Sequence, residues 1–375
     1  MMNNDLFSLN PKRFGFGLMR LPMKDGNIDY EHAQKMVDRY IERGFCYFDT
    51  AYGYHDGESE KAVKKLLVEK YPRETFYLAT KLPLWFIESE EDHQRIFDEQ
   101  RQRTGVDYFD FYLIHALDGD KIRLADKYNS WDFIVKLKER GLAKHIGFSF
   151  HGTADELDML FTAHPEIEFV QLQINYADWD SEKVQSRECY EVARKHNKPI
   201  IIMEPVKGGS LTEFGPAERE IFANYNPNMS LASWAIKYVM SLEGVFCVLS
   251  GMSNIEQLEE NVDIAEDFVP MTKAEYEVIN AVIEKSKETP TVPCTGCNYC
   301  HEACPQKIDT AEIISQYNNY LRYKYLKTPR EAYLMSNQKG SFASDCIQCG
   351  ECEARCPQNI KIIDTLKDIA ELFEA

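Results

Sequence analysis

FDFYLIHALDGDKIRLADKYNSWDFIVKLKERGLAKHIGFS, residues 109–149, holds a whole strand–helix–strand unit. It opens on one apolar run, FDFYLIH (109–115), and closes on another, HIGFS (145–149). Short dense apolar runs of this kind are how strands covered on both faces read, and such strands belong to parallel sheets. Between them, 127–140 has the spacing of an amphipathic helix. It stops at Gly141, a residue suited to the left-handed turn that ends helices.

The same pattern continues outward in both directions. Six more runs read as strands: FGFGL (14–18), CYFDT (46–50), FYLAT (76–80), FVQLQI (169–174), PIIIME (199–204) and VFCVLS (245–250). Helical patterns lie between them at 30–43, 58–71, 88–104, 153–164, 182–196 and 230–241. Thr153, Ser181 and Ser230 stand where N-caps are wanted, and Gly44 where a helix should stop. Eight strands alternating with helices predict an α/β fold, a (β/α)8 TIM barrel over residues 1–288. A doubly wound open sheet would want a Gly-rich loop after its first strand, and Gly15 and Gly17 lie inside the strand run instead.

The chain beyond is of another kind. Eight of the eleven cysteines form two copies of C-x-x-C-x-x-C-x-x-x-C-P. The first is Cys294, Cys297, Cys300 and Cys304 before Pro305; the second is Cys346, Cys349, Cys352 and Cys356 before Pro357. This is the bacterial ferredoxin spacing, in which three close thiolates hold one cluster and the fourth ligates the other. Two [4Fe–4S] clusters are therefore expected, one on Cys294, Cys297, Cys300 and Cys356, the other on Cys346, Cys349, Cys352 and Cys304. Structural zinc sites present two pairs across a longer loop. Disulfides want an oxidising compartment. Cys46, Cys189 and Cys247 sit in apolar or helical surroundings and read as small core side chains.

A linker, Glu-Thr-Pro-Thr-Val-Pro (288–293), precedes the first motif, so residues 289–375 form a second, ferredoxin-like domain. Between the motifs lie 41 residues, more than a compact hairpin ferredoxin needs. Their composition, like that of the tail IKIIDTLKDIAELFEA, is largely helix-permissive, and the domain should be mostly helical.

The 375 residues suit two domains. Hydrophobic content of 44% with 28% charged residues is that of an ordinary soluble protein. The start MMNNDLFSLN lacks the basic and apolar regions of a secretory signal, and no apolar run is long enough to span a membrane. A cytoplasmic, reducing location is expected. Residues 291–375 carry nine Lys and Arg against eleven Asp and Glu, or −2, leaving −16 of the total −18 on residues 1–290. So acidic a body repels phosphate backbones, which excludes nucleic acid as a partner.

Barrel active sites lie at the C-terminal ends of the strands. Those ends carry Asp49, Lys81, His115, Ser149, Gln171, Asn175, Met203 and Glu204, with Tyr54 just beyond Asp49. FDTAYGYHDGESE (48–60), ATK (79–81) and His115 in that order closely resemble the aldo/keto reductase family, and the likeness spans most of 14–262. With the cysteine motifs added, the chain resembles the iron–sulfur, ferredoxin-containing branch of that family along nearly its whole length.

The resemblance implies a catalytic tetrad of Asp49, Tyr54, Lys81 and His115, acting with NAD(P)H on a small carbonyl or alcohol. Tyr52 is a rival phenol, but Tyr54 keeps the five-residue offset from Asp49. An ordinary tyrosine, with a pKa of about 10, is a weak acid at neutral pH. An ammonium beside it would favour the phenolate, and Asp49 would keep that ammonium charged. His115 would donate to the carbonyl oxygen.

By the same resemblance Ser149 and Gln171 hold the nicotinamide amide, although Phe150 and His151 follow where the family has Asn. Met203 takes the place of a stacking tyrosine. SGMSNIEQLEEN (250–261) matches the adenosine-binding loop and helix, with Gly251, Ser253, Gln257, Glu260 and Asn261 as contacts. No Lys or Arg lies between 251 and 261, which leaves NADP and NAD both open, and a flavin stays among the candidate cofactors.

Hydride carries two electrons and each cluster takes one. Three arrangements meet that mismatch: a working reductase wired through its clusters to an electron-carrier protein, an electron-transfer module on a docking barrel, or a carbonyl reductase with structural clusters. Trp85, Phe86 and Tyr176 fit either a pocket mouth for an apolar substrate or ordinary loop packing.

Overall fold

The computed structural model describes residues 6–324, 326–336 and 341–374. The opening MMNND, Tyr325, residues 337–340 between the cysteine motifs and Ala375 lie outside the described residues. The chain divides into two compact units, Met1–Pro205 with Ala235–Pro270 and Val206–Trp234 with Met271–Ala375.

The first unit contains a closed barrel of eight parallel strands. They are β1 (Phe14–Gly17), β2 (Tyr47–Asp49), β3 (Tyr77–Leu82), β4 (Phe109–Leu117), β5 (Ala143–Phe150), β6 (Phe169–Gln173), β7 (Ile200–Met203) and β8 (Val245–Gly251). Each pairs with the next, and β1 pairs with β8 to close the ring. All eight expected strands are present, within two residues of their expected ends. Their apolar density is explained by burial on both faces: every residue of β1, β2, β4 and β6 is buried. At Gly147 a Cβ would stand 2.7 Å from the carbonyl oxygen of Phe169, so β5 and β6 approach closely only because the side chain is missing.

The helices follow the expected pattern with local corrections. Thr153 and Glu156 form a capping box, and Ser230 Oγ accepts the Ser233 N–H at 3.0 Å. Ser181 does not cap a helix. It accepts the Val184 N–H at 3.3 Å in a turn, and the helix begins at Ser186. The helix expected over 127–140 is Ser130–Glu139, and a further, unexpected helix, Gly119–Lys127, precedes it, the two separated at Asn129 with φ 54°. Asp118 supplies the unforeseen first cap, accepting the Lys121 N–H.

The second unit is helical around a core of Ile308, Ile313, Ile314, Tyr333, Leu366, Ile369 and Phe373, to which Cys300 and Cys352 belong. Helices Thr310–Tyr323 and Lys327–Ser336 fill most of the interval between the cysteine motifs. Pro329 sits in the first turn of the latter, where its missing N–H costs nothing. The segment after β7 belongs to this unit. At Gly208, with φ 64°, a Cβ would fall 2.0 Å from the Thr295 carbonyl oxygen, and Ser210 Oγ donates to the Cys294 carbonyl at 3.2 Å. Among the described residues no helix is long and apolar enough to cross a membrane.

Candidate active site and cluster-binding thiols

Lys81, in β3, is fully buried. Its ammonium has three protons to place and three acceptors: Asp49 Oδ1 at 2.6 Å, the Thr50 carbonyl at 2.7 Å and Tyr54 Oη at 3.3 Å. Burial pulls Lys81 down from its ordinary range and pushes Asp49 up, and their attraction works against both shifts. The Tyr54 ring lies edge-on to His115, centroids 6.0 Å apart, and Trp85 packs on the other ring contact of His115 at 4.9 Å. Burial first, then the Lys81 charge, holds His115 well below its usual pKa, so its imidazole is neutral at pH 7. The four residues expected from the strand ends are thus brought together.

Tyr52 is not among them. Its hydroxyl donates to Glu99 Oε2 at 2.6 Å, and the Arg103 guanidinium lies 4.0 Å over its ring. Beneath Lys81 lies a network that motif reading had not resolved. Glu60, fully buried, accepts from Thr80 Oγ1 at 2.8 Å and Gln100 Nε2 at 2.9 Å. Gln100 also donates to the Lys81 carbonyl at 3.0 Å, and Tyr112 Oη donates to Gln100 Oε1 at 2.8 Å. The network fixes the end of β3 from below. Its signal was present in the Glu of the SE pair, which spacing alone does not aim.

The expected nucleotide contacts fall into two groups. Gln171 Nε2 points to Met203 Sδ at 3.5 Å, while its Oε1 is buried without a partner among the described residues. Ser149 Oγ accepts the Ala116 N–H at 2.7 Å and keeps its own proton free to donate. Phe150 is buried against Phe148, ring centroids 5.9 Å apart, and supplies no amide. Asn175 instead donates to Asp178 Oδ2 at 2.9 Å and the Glu204 carbonyl at 3.3 Å.

At the end of β8, Gly251 is exposed and Ser253 donates to the Arg20 carbonyl at 2.9 Å. Gln257 Oε1 accepts the Ser253 N–H at 2.8 Å. Glu260 precedes Asn261, whose Nδ2 donates to Ser250 Oγ at 3.1 Å while its Oδ1 is buried and unpartnered among the described residues. This turn leads into the N-terminus of helix Ile255–Glu266, capped by Asn254, and such termini suit anions. The cation absent from 251–261 is nearby: the Arg20 stem lies within 3.0–3.2 Å of where a Gly251 Cβ would stand. A basic residue right after the first strand was the missed signal.

Trp85 joins the His115 group, whereas Phe86, 47% exposed, packs on Tyr52 at 5.5 Å. Tyr176 is buried against Tyr238 and is packing.

In the second unit a cavity is lined by Cys304, Cys346, Cys349 and Cys352, together with Ile347, Ile308, Ile363 and Leu366. These four thiols are the expected second set, including its member from the first motif. Burial pushes the Cys300 thiol up, and Cys294 and Cys356 are near enough to push it further. Among the described residues no three His, Cys, Asp or Glu side chains converge to hold a single metal ion. Thiols arranged around a cavity suit a cluster better than a lone zinc.

The aldo/keto reductase family model matches residues 13–284, and a 4Fe-4S dicluster domain matches 293–360. The chain belongs to the aldo/keto reductase family, and it carries an iron–sulfur dicluster domain at its C-terminus. It is an oxidoreductase of the NAD(P)-dependent, aldo/keto reductase type. An aldo-keto reductase of Mycolicibacterium smegmatis is 32% identical over 132 residues, 35% of this chain and 44% of that one. L-galactose dehydrogenase of Arabidopsis thaliana is 25% identical over 305 residues, 73% of this chain and 91% of that one. The fold is shared with an aldo-keto reductase from Klebsiella pneumoniae in complex with NADPH, at TM-score 0.57 and 17% identity, over 72% of this chain and 90% of that one.

Proposed function

We propose that residues 1–288 reduce a small carbonyl, or oxidise the matching alcohol, with NADP(H), and that residues 289–375 hold two [4Fe–4S] clusters that exchange electrons with a carrier protein. The observation that carries the first half is the Lys81 ammonium, shared between Asp49 and Tyr54 in a dry site. The nucleotide supplies hydride. Tyr54 gives a proton to the oxygen that becomes the alcohol, and Lys81, donating to the same phenol oxygen, stabilises the anion left behind. Asp49 holds Lys81 in place and balances its charge. Neutral His115 donates a hydrogen bond to the carbonyl oxygen. Trp85 walls the space beside His115, which suits a substrate with an apolar face.

The buried, unpartnered oxygen of Gln171 suits the amide N–H₂ of a nicotinamide, and the free Ser149 proton suits its carbonyl. Met203 would lie against the ring. Arg20, beside Gly251, is the cation for a nucleotide phosphate, and set on a 2′-phosphate it would favour NADP(H) over NAD(H). Gly251, Ser253, Gln257, Glu260 and Asn261 form the remaining wall.

The two thiol sets hold their clusters by exchange of fourth ligands, Cys356 to the first and Cys304 to the second. The clusters move single electrons. Coupling them to hydride needs a two-to-one-electron mediator, and a flavin, bound or on the partner, is the chemical class that serves. The burial of Cys300 and Cys352 in the second unit's core favours one other reading, in which the clusters only brace that fold.

An anaerobic visible spectrum of the cluster-loaded protein, before and after NADPH and then NADH, separates the two. Bleaching of the thiolate-to-iron absorbance supports the coupled enzyme. Clusters that bleach with dithionite but not with either nucleotide leave a carbonyl reductase whose clusters brace the fold or are fed by another donor.

A further inference from the structure

His115 stands on an irregular piece of strand. Ile114 is registered with Phe148, but Leu117 is registered with Phe150, three residues on in β4 against two in β5. The extra residue makes a β-bulge at His115 and Ala116, and bulges re-aim the side chains they carry. Ala116 has φ 54°, a left-handed backbone that a residue with a Cβ adopts at a cost. One contact holds it there from the neighbouring strand: the Ala116 N–H donates to Ser149 Oγ at 2.7 Å, in a buried setting. Beyond the bulge the ladder resumes, with the His151 N–H on the Leu117 carbonyl at 2.8 Å.

We infer that Ser149 is a positioning residue for His115: by accepting the Ala116 N–H it holds the strained bulge that turns the imidazole toward Tyr54. This rests on the reading of His115 as the donor to the carbonyl oxygen. It gives the serine a task besides the nicotinamide amide, since its two lone pairs and its proton are separate. Accepting from Ala116 leaves the O–H free, so one hydroxyl serves both.

The test compares Ser149→Ala, Ala116→Gly and the double variant in the cluster-loaded protein. Each is read by the imidazole resonances of histidine-labelled protein, by NADPH affinity, and by kcat with 4-nitrobenzaldehyde as the probe aldehyde. In Ser149→Ala the His115 resonances should shift and broaden and kcat should fall between about tenfold and a hundredfold, as misplacement by about 1 Å does. Ala116→Gly relieves the strain, because glycine takes positive φ freely. Combined with Ser149→Ala it should restore the His115 resonances and most of kcat. Unmoved His115 resonances in Ser149→Ala, with loss only in NADPH affinity, would overturn the inference, as would a double variant no better than Ser149→Ala. If Ser149→Ala does not fold, the double variant is compared with Ala116→Gly alone, and a displaced His115 there overturns the inference. His115→Gln retaining full kcat would instead sink the role of His115 itself, a separate result.

Discussion

Asp49 Oδ1 and Lys81 Nζ meet at 2.6 Å with the lysine wholly out of water, an ion pair that links the ends of β2 and β3. Breaking a buried pair on one side leaves a charge without its partner, which costs about 3–5 kcal/mol. Asp49→Asn keeps the shape and removes the charge. It should lower stability by about that amount and let Lys81 lose its proton at lower pH, moving the alkaline limb of the pH–rate profile downward. Denaturant unfolding and a kcat profile between pH 6 and 10 check both. A variant as stable as wild type would mean that the pair is not ionic.

Tyr54 and Tyr52 separate the two phenols by chemistry. Tyr54→Phe should abolish carbonyl reduction, by about 10²–10⁴-fold, while NADPH affinity stays nearly unchanged. Tyr52→Phe, whose hydroxyl donates to Glu99 away from Lys81, should keep turnover within a few-fold. Retained turnover in Tyr54→Phe would end its assignment as proton donor.

Arg20→Gln should weaken NADPH by about tenfold or more, the scale of one lost hydrogen bond to a charged group. NADH should weaken less if the guanidinium reads the 2′-phosphate, and equally if it reads the pyrophosphate. Fluorescence titration with both nucleotides decides between them, and unchanged affinity for both removes Arg20 from the site.

Burial pushes His151 down to about 4, and His115 moves the same way. An unfolded histidine titrates near 6.5. Between about pH 6.5 and 4 the unfolded chain therefore binds protons that the folded chain refuses, so stability is full above that window and falls as pH falls. His151→Gln should flatten the acid slope of Tm between pH 7 and 5. A slope as steep as wild type would show His151 solvated in the folded protein.

Cys356→Ala should damage the cluster that shares Cys294, Cys297 and Cys300, and spare the one nearer in sequence. Iron counting with EPR on the dithionite-reduced variant reads which signal is lost. Loss of the Cys346, Cys349 and Cys352 signal would mean that each motif holds its own cluster.

Legibility differed between levels. The barrel was readable because strands covered on both faces leave runs as plain as FDFYLIH, and every run became a strand. The meeting of Asp49, Tyr54, Lys81 and His115 was readable because three of them stand at or near strand ends and Tyr54 in the turn after one, an order that survives in sequence. What stayed hidden depends on contacts between strands. Glu60 is a carboxylate in a motif until Thr80 and Gln100 are seen donating to it. Arg20 is a residue after a first strand until closure brings β8 alongside. The helix Gly119–Lys127 was missed because it is short and ends just before the helix that was expected.

Gly208 has a consequence for how such a protein is put together. With φ 64° and a carbonyl oxygen 2.0 Å from where its Cβ would be, it admits no side chain, and the loop it belongs to packs with residues 271–375. A fragment cut at residue 289 would leave behind two stretches that pack with the cysteine region, 206–234 and 271–288. A graft would have to carry the segment between β7 and Ala235 along with it.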